Sequence, residues 1–265
     1  MYDLWCRTLP KKFHVNRFIF GNLMRRDGWA KHWVVRDPAN PCSIIGYAAT
    51  YTTYADSDAE NLVGSLAVVI VHPDQRNRGI GTTLHHKALS QLKRTRGVTR
   101  LQLGSTFPRL LLGLPLGLAS TQWFRNRGWV LDGWAPGKGF PVSDWLLRFD
   151  QRPQRPESLA SLEGVHFRTC ALAEFQAVMN LVRSVTMRHA HMMGWYDQYA
   201  KLSGTAHVED IVVGVSDRDG VVAAAITYET NSGSPVGQDM PWPGTIGGAV
   251  GGVTCVCIPG GLCLS

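Results

Sequence analysis

The sequence holds no apolar run that approaches the length of a bilayer span, so a helical membrane anchor is not expected within it. Its first residues, MYDLWCRTLPKKF, show neither a long apolar core nor a small-residue cleavage site, which argues against a secretory leader. The six cysteines form no disulfide or metal-ligand pattern. Cys6, Cys42 and Cys170 are scattered, while Cys255, Cys257 and Cys263 follow an apolar strand-like run. Reduced thiols and a cytoplasmic location are therefore expected. No metal is expected either. His189 and His191 have no cysteine or carboxylate at ligand spacing, and the adjacent His85 and His86 do not share a helix face.

Negative charge is also scarce, but only in one half. Residues 1–150 hold 20 Lys/Arg against 10 Asp/Glu, whereas residues 151–265 hold 7 against 10. An excess of cations in the first half suits an anionic partner, a phosphorylated cofactor among them. No nucleic-acid-binding motif accompanies that charge, so nucleic acid is not the expected partner. The apolar fraction of 45% is ordinary for a chain with a packed core.

Periodicity divides the chain in two. A turn and an amphipathic helix are expected over residues 4–26, then strands over His32–Asp37, Ser43–Ala55 and Gly64–Val71. A helix from about Thr82 to Arg96 has Leu84, Ala88, Leu89 and Leu92 on one face, and the strand Arg100–Ser105 follows. A Pro/Gly-broken loop, a short helix closing at Gly128, and two strands, WVLDGW and VSDWLLRFD, complete this unit. Residues 151–164 are polar, proline-containing and unpatterned, which is the composition of a linker. Residues 165–265 start again with a strand, two helices, a hairpin turning at Asp217–Gly220, and a last strand. The halves read as a mixed α/β tandem, 1–150 and 165–265, the second abridged.

The stretch VHPDQRNRGIGTT carries the chemistry. A diphosphate is held most simply by the free N–H groups of a helix N-terminus, reinforced by the helix dipole. Gly79 and Gly81 let the preceding loop curl so that its own amides also point inward, and Arg76 and Arg78 add positive charge. Neither a G-x-x-x-x-G-K-[ST] loop nor G-x-G-x-x-G is present, so two common nucleotide-binding fingerprints are excluded.

What remains is Q-R-N-R-G-I-G between a strand and a helix. It resembles the acyl-CoA pyrophosphate loop of the GNAT superfamily of N-acetyltransferases. Together with LQLGSTFPRLLLGLP and WFRNRGW, it resembles the tandem GNAT module fused behind the glycosidase domain in some family 3 β-N-acetylglucosaminidases. The resemblance implies a GNAT-like α/β fold and acetyl transfer from acetyl-CoA to a small amine, an amino sugar among the candidates. It implies that Gln75, Arg76, Asn77, Arg78, Gly79, Ile80, Gly81, Thr82 and Thr83 bind the cofactor. It further implies that Val69, Ile70 and Val71 line the pantetheine arm, on a strand that parts from its neighbour.

The departures from the family are specific. Where many members carry a tyrosine that protonates the leaving thiolate, this sequence has Phe124. No second R-x-x-G-x-G follows GGVTCVCIP, and the opening strand and helix of the fold are not apparent before residue 4. These departures favour, as an alternative, an acyl-CoA-binding or interaction module without turnover.

The base that would deprotonate the attacking amine is not fixed by the sequence. Glu60, Asp58 and His72 are candidates, with Asp56 beside them, and each also reads as an ordinary loop or strand-end residue. Tyr51 and Tyr54 read as core or as pocket lining; Ser105, Thr106 and Arg109 follow the strand LQLG, where cofactor or acceptor is met in the family. The last strand would have an unpaired edge, so association with a partner chain or a second copy is expected.

Overall fold

The structure is a computed structural model that describes residues 1–25, 30–55, 60–133, 141–149, 164–187, 192, 194–230 and 232–259. It contains two four-stranded sheets. Helices α1 (Tyr2–Thr8) and α2 (Arg17–Met24) come first. Asn16 caps α2 by accepting the Ile19 N–H at 2.8 Å. Strands β1 (Ala30–Arg36), β2 (Ile44–Tyr54) and β3 (Leu62–Val71) form an antiparallel meander. Helix α3 (Ile80–Arg94) then crosses over to β4 (Val98–Leu103), which runs parallel to β3.

The two faces of this sheet carry different layers. On one, Leu4, Trp5, Phe20 and Leu23 of α1 and α2 pack on Tyr47, Tyr51, Val68 and Ile70. On the other, Leu84 and Ala88 of α3 pack on Ala48 and Leu66. Gly46 sets how closely α3 approaches: a Cβ there would stand 2.8 Å from Ile80 Cγ2 and 3.0 Å from Leu84 Cδ1. The first turn of α3 is thereby seated directly on β2.

A short helix α4 (Thr121–Arg125) follows a long irregular segment. The second sheet is wholly antiparallel, in the order β5 (Val165–Thr169), β6 (Ile211–Ser216), β7 (Gly220–Glu229), β8 (Gly251–Cys257). Helices α5 (Phe175–Thr186) and α6 (Trp195–Ala200) precede β6, and the short α7 (Pro235–Asp239) and α8 (Pro243–Ile246) precede β8. Val178, Val182 and Tyr199 cover Ile211, Val213 and Ile226. No strand pairs with the outer edge of β8 among the described residues.

The two units interlock. Phe107, at 1% exposure, leaves the first sheet to sit in the core of the second. In return, Trp242 packs against the α1–α2 layer, and its Nε1–H donates to the Arg109 carbonyl at 3.0 Å. The Arg109 N–H donates to the Asp239 carbonyl at 2.8 Å. The Asp239 carboxylate is fully buried and accepts from Lys201 Nζ at 2.9 Å and Gln198 Nε2 at 3.1 Å. Two elements of opposite units are thus tied by backbone as well as by side-chain packing.

Two expected strands are not found. Residues 129–133 and 141–149 take no regular structure, and Trp145 is 94% exposed. Their bulky apolar and aromatic residues suit a strand, but no strand among the described residues pairs with them. Residues 151–163 of the expected linker lie outside the described residues. Helices α7 and α8 were not anticipated, because a proline at the head of a four- or five-residue helix reads equally as a turn.

Candidate cofactor site

The site is built where β3 hands over to α3. β3 and β4 pair from Leu62/Val98 to Leu66/Leu103 and no further. The Gly104 N–H closes the ladder onto the Leu66 carbonyl at 2.9 Å. Beyond it, Ala67 bulges out of register with β2. Val68–Val71 continue beside β2 alone. The His72 N–H donates to the Ile45 carbonyl at 2.8 Å, back toward β2. Strand alternation then turns the N–H and C=O of Val71 and Val69 to the open side. Arg76 Nε, donating to the Val71 carbonyl at 3.4 Å, lies on that side. The Ile70 side chain packs under α1 and α2 on the opposite layer from Val69, and its backbone faces β2.

After β3 the chain makes a short 3-10 turn, Pro73–Gln75, with the His72 ring accepting the Asp74 N–H at 3.4 Å. Asn77 (φ 60°) and Gly79 (φ 80°) are both left-handed, which curls the loop onto the helix start. Gly79 is the helix N-cap, and its carbonyl accepts the Thr83 N–H at 3.0 Å. The N–H groups of Asn77, Arg78, Gly79, Ile80, Gly81 and Thr82 have no hydrogen-bond acceptor among the described residues. That is a run of amides at the positive end of a 15-residue helix. A Cβ on Gly79 would meet nothing within 4 Å, so the space before the loop is open. Gly81 differs from the sequence-based expectation. A Cβ there would point inward, 3.5 Å from Trp123 and from Val71, and not toward the open side.

Helix α4 buttresses the same end of α3. Trp123 and Trp129 flank His85 edge-on, at 5.4 and 6.3 Å between ring centroids. Trp129 Nε1–H donates to His85 Nε2 at 2.9 Å. Burial, with the positive charge of Arg127 next, pushes the His85 imidazole down to about 4, so it is neutral and accepting at neutral pH. Arg127 lies over the Trp123 ring at 3.6 Å and donates to Thr82 Oγ1 at 2.7 Å. Sequence reasoning passed over Arg127 because it lies 45 residues from Thr82, and no local pattern joins them.

The catalytic candidates fare differently. Asp58 and Asp56 lie outside the described residues. Glu60 precedes β3 at the end far from Val69; at about 3.3 Å per residue, roughly 30 Å of strand separates them. Glu60 therefore lies far along the strand from Val69–Val71. His72 spends its Nδ1 on the turn it caps. Tyr51 is core: its hydroxyl donates to the Leu23 carbonyl at 2.9 Å beneath α2. Where the strands part, Gln102 Nε2 donates to Ser65 Oγ at 2.8 Å and to Thr106 Oγ1 at 3.2 Å. Beside them Ser105 is 1% exposed and its hydroxyl has no partner among the described residues. Phe124 is buried against Trp123, and no hydroxyl replaces the missing tyrosine at that position.

A parted pair of strands, a curled loop and a helix with free amides occur here in the order that the family resemblance implies. Residues 1–109 match the family model described as Acetyltransferase (GNAT) family. The first unit has a GNAT-like fold. The GNAT likeness extends to solved structures. Over 97% of its length the chain is similar, at 23% identity and a TM-score of 0.75, to a protein described as having a GCN5-related glucosamine N-acetyltransferase region in a fungal multi-domain GH3 β-N-acetylglucosaminidase. At that identity the likeness speaks for the fold. The chain spans 30% of that protein's length. Glucosamine-6-phosphate N-acetyltransferase from Arabidopsis thaliana aligns with 48% of this chain and 73% of its own, at 10% identity and a TM-score of 0.34. Ribosomal-protein-alanine N-acetyltransferase from Brucella melitensis aligns with 52% and 84%, at 15% identity and 0.34. No curated protein sequence matches the chain.

Proposed function

We propose that the chain transfers an acetyl group from acetyl-CoA to the nitrogen of a small amine, an amino sugar being the first acceptor to try. The observation that carries this reading is the run of amides from Asn77 to Thr82, without acceptors among the described residues, beside open space at Gly79. Gln75, Arg76, Arg78 and Thr83 complete the loop around a diphosphate, and the open edge at Val69 and Val71 offers N–H and C=O groups to an amide-bearing arm. Acetyl-CoA supplies an activated thioester. The chain's own part is to hold that thioester and the amine together and to exclude water, which lowers the barrier through proximity.

The reading further takes residues 1–150 and 165–265 as two related units in tandem. β1–β3 and β6–β8 are both three-stranded antiparallel meanders preceded by two helices, and both carry a bulge in the third strand. The five described cysteines are free, which fits the reducing cytoplasm. No described helix is long and apolar enough to cross a membrane. The open edge of β8 favours pairing with a second copy.

Phe124 favours a second reading, a module that binds acyl-CoA without turning it over. Release of free thiol from acetyl-CoA, followed across amino sugars, polyamines and short peptides, separates the two. Acceptor-dependent release supports the transferase; binding of acetyl-CoA with no release from any acceptor supports the second reading.

A further inference from the structure

We infer that Arg127 is a phosphate-binding side chain, a specificity determinant for the phosphorylated end of the cofactor; this rests on the acetyl-CoA reading above. The position of Arg127 carries an electrostatic conflict. A cation is favourable at a helix C-terminus and unfavourable at an N-terminus, where the peptide dipoles already converge with positive charge. Yet Arg127 is held against the first turn of α3. Its Nη2 donates to Thr82 Oγ1 at 2.7 Å and its Nη1 donates to the Trp123 carbonyl at 2.9 Å. The guanidinium plane lies 3.6 Å from the Trp123 ring. Among the described residues no carboxylate pairs with it. Arg125, two residues earlier, shows the contrast: it is paired with Asp132 through two bonds of 3.1 and 2.7 Å.

The surroundings deepen the conflict. Arg76 and Arg78 lie in the loop that leads into the helix, and the His85 imidazole one turn on is held neutral. Within the described residues that guanidinium meets only a ring and two neutral acceptors, so an anion arriving there would relieve the conflict. The fixing is thorough: a stacked ring, a carbonyl and a hydroxyl hold the group, so little freedom is lost when a ligand arrives. Of the five guanidinium N–H donors, those not used on Thr82 and Trp123 remain for an incoming oxygen. The free amides from Asn77 to Thr82 lie on the same helix end. The occupant that matches both is a phosphate of the cofactor's nucleotide portion, held by loop amides and by Arg127 together.

The experiment is calorimetric titration of CoA, dephospho-CoA and pantetheine into wild type and four variants, Arg127→Gln, Arg127→Lys, Thr82→Val and Gly79→Glu, at two salt concentrations. Melting temperatures and circular dichroism confirm that each variant is folded. For Arg127→Gln the expected result is a loss of about 10- to 100-fold in CoA affinity, with a shallower salt dependence. Pantetheine binding is unchanged. Loss for CoA alone places the guanidinium on the phosphate that dephospho-CoA lacks; equal loss for both places it on the diphosphate. Arg127→Lys keeps part of the affinity, and Thr82→Val loses less than Arg127→Gln. A purely structural Arg127 would weaken pantetheine in step with CoA and leave the salt slope alone. If Arg127→Gln binds CoA like wild type while Gly79→Glu does not, the inference is overturned and the acetyl-CoA reading stands. If wild type binds no CoA, both fall. Should Arg127→Gln not fold, the Lys and Val variants carry the same comparison.

Discussion

Strands β3 and β8 each follow two antiparallel partners in sequence, but β3 lies inside its sheet and β8 at the edge of its own, and the two differ in what comes next. Each is the third strand of an antiparallel meander, and each is bulged. In β3 the bulge falls at Ala67, just where β4 leaves, so one edge of the strand is freed and then followed by a curled loop and α3. In β8 the bulge contains Cys255 at φ 53°, a left-handed conformation that costs a non-glycine residue roughly 1 kcal/mol. Tyr199 recovers some of that cost by donating its hydroxyl to the Cys255 carbonyl at 2.8 Å. The thiols of Cys255 and Cys257 are both pushed up to about 12 by burial, so neither is a ready nucleophile. A shared bulged meander therefore fixes the scaffold, whereas the site depends on the parting strand and the loop beyond.

The comparison breaks first at the interlock. Phe107→Ala should destabilise the second unit by about 3–5 kcal/mol through the cavity it leaves, although the residue belongs to the first. Chemical denaturation followed at tryptophans of both units should show one transition in the wild type. An unchanged midpoint would mean that the units stand apart. Next in size, Gly79→Glu should weaken CoA binding more than about 100-fold, since a carboxylate facing phosphate costs several kcal/mol. The circular dichroism spectrum should be unaffected, and melting should fall only by the small amount that a non-glycine residue at φ 80° costs.

Acid sharpens the contrast further. The His85 imidazole is held at about 4 in the folded chain against an ordinary 6.5, so protons bind more readily to the unfolded state. Its contribution is fully present above pH 6.5 and is lost as pH falls from there toward 4, about 3 kcal/mol in all. His85→Gln should flatten that part of a stability–pH profile. An undiminished slope between pH 6.5 and 4 in the variant would exclude His85 as its source. The second unit answers lower. Arg168, by hydrogen bonding to Glu174, holds that carboxylate at about 2, below its usual 4.5. Its support is present above pH 4.5 and fades as pH falls toward 2. The pair is exposed, so Glu174→Gln should have the smallest effect of the series, confined to that acid window.

Much of the scaffold was legible because it is written in local pattern. Leu84, Ala88 and Leu92 at helical spacing gave α3, and alternation with β-branched residues gave β2, β3 and the β6–β7 hairpin. The loop was legible because glycine, arginine and a strand-to-helix junction coincide within a few residues. The long-range pieces were not. Nothing near Phe107 says that its ring belongs to another sheet, and nothing near Arg127 says that it reaches Thr82. WVLDGW and VSDWLLRFD illustrate the opposite error, since bulky apolar and aromatic residues have no force as strand formers where no edge receives them.

The central claim is that the peptide nitrogens from Asn77 to Thr82 are free to take a diphosphate. Amide hydrogen exchange resolved to that segment tests it most directly. Without ligand these six amides should exchange near the rate of an unprotected chain, and saturating CoA should slow them at least about tenfold while β8 is unaffected. Strong protection before any ligand is added, or protection by CoA that appears elsewhere and spares this segment, would contradict the account.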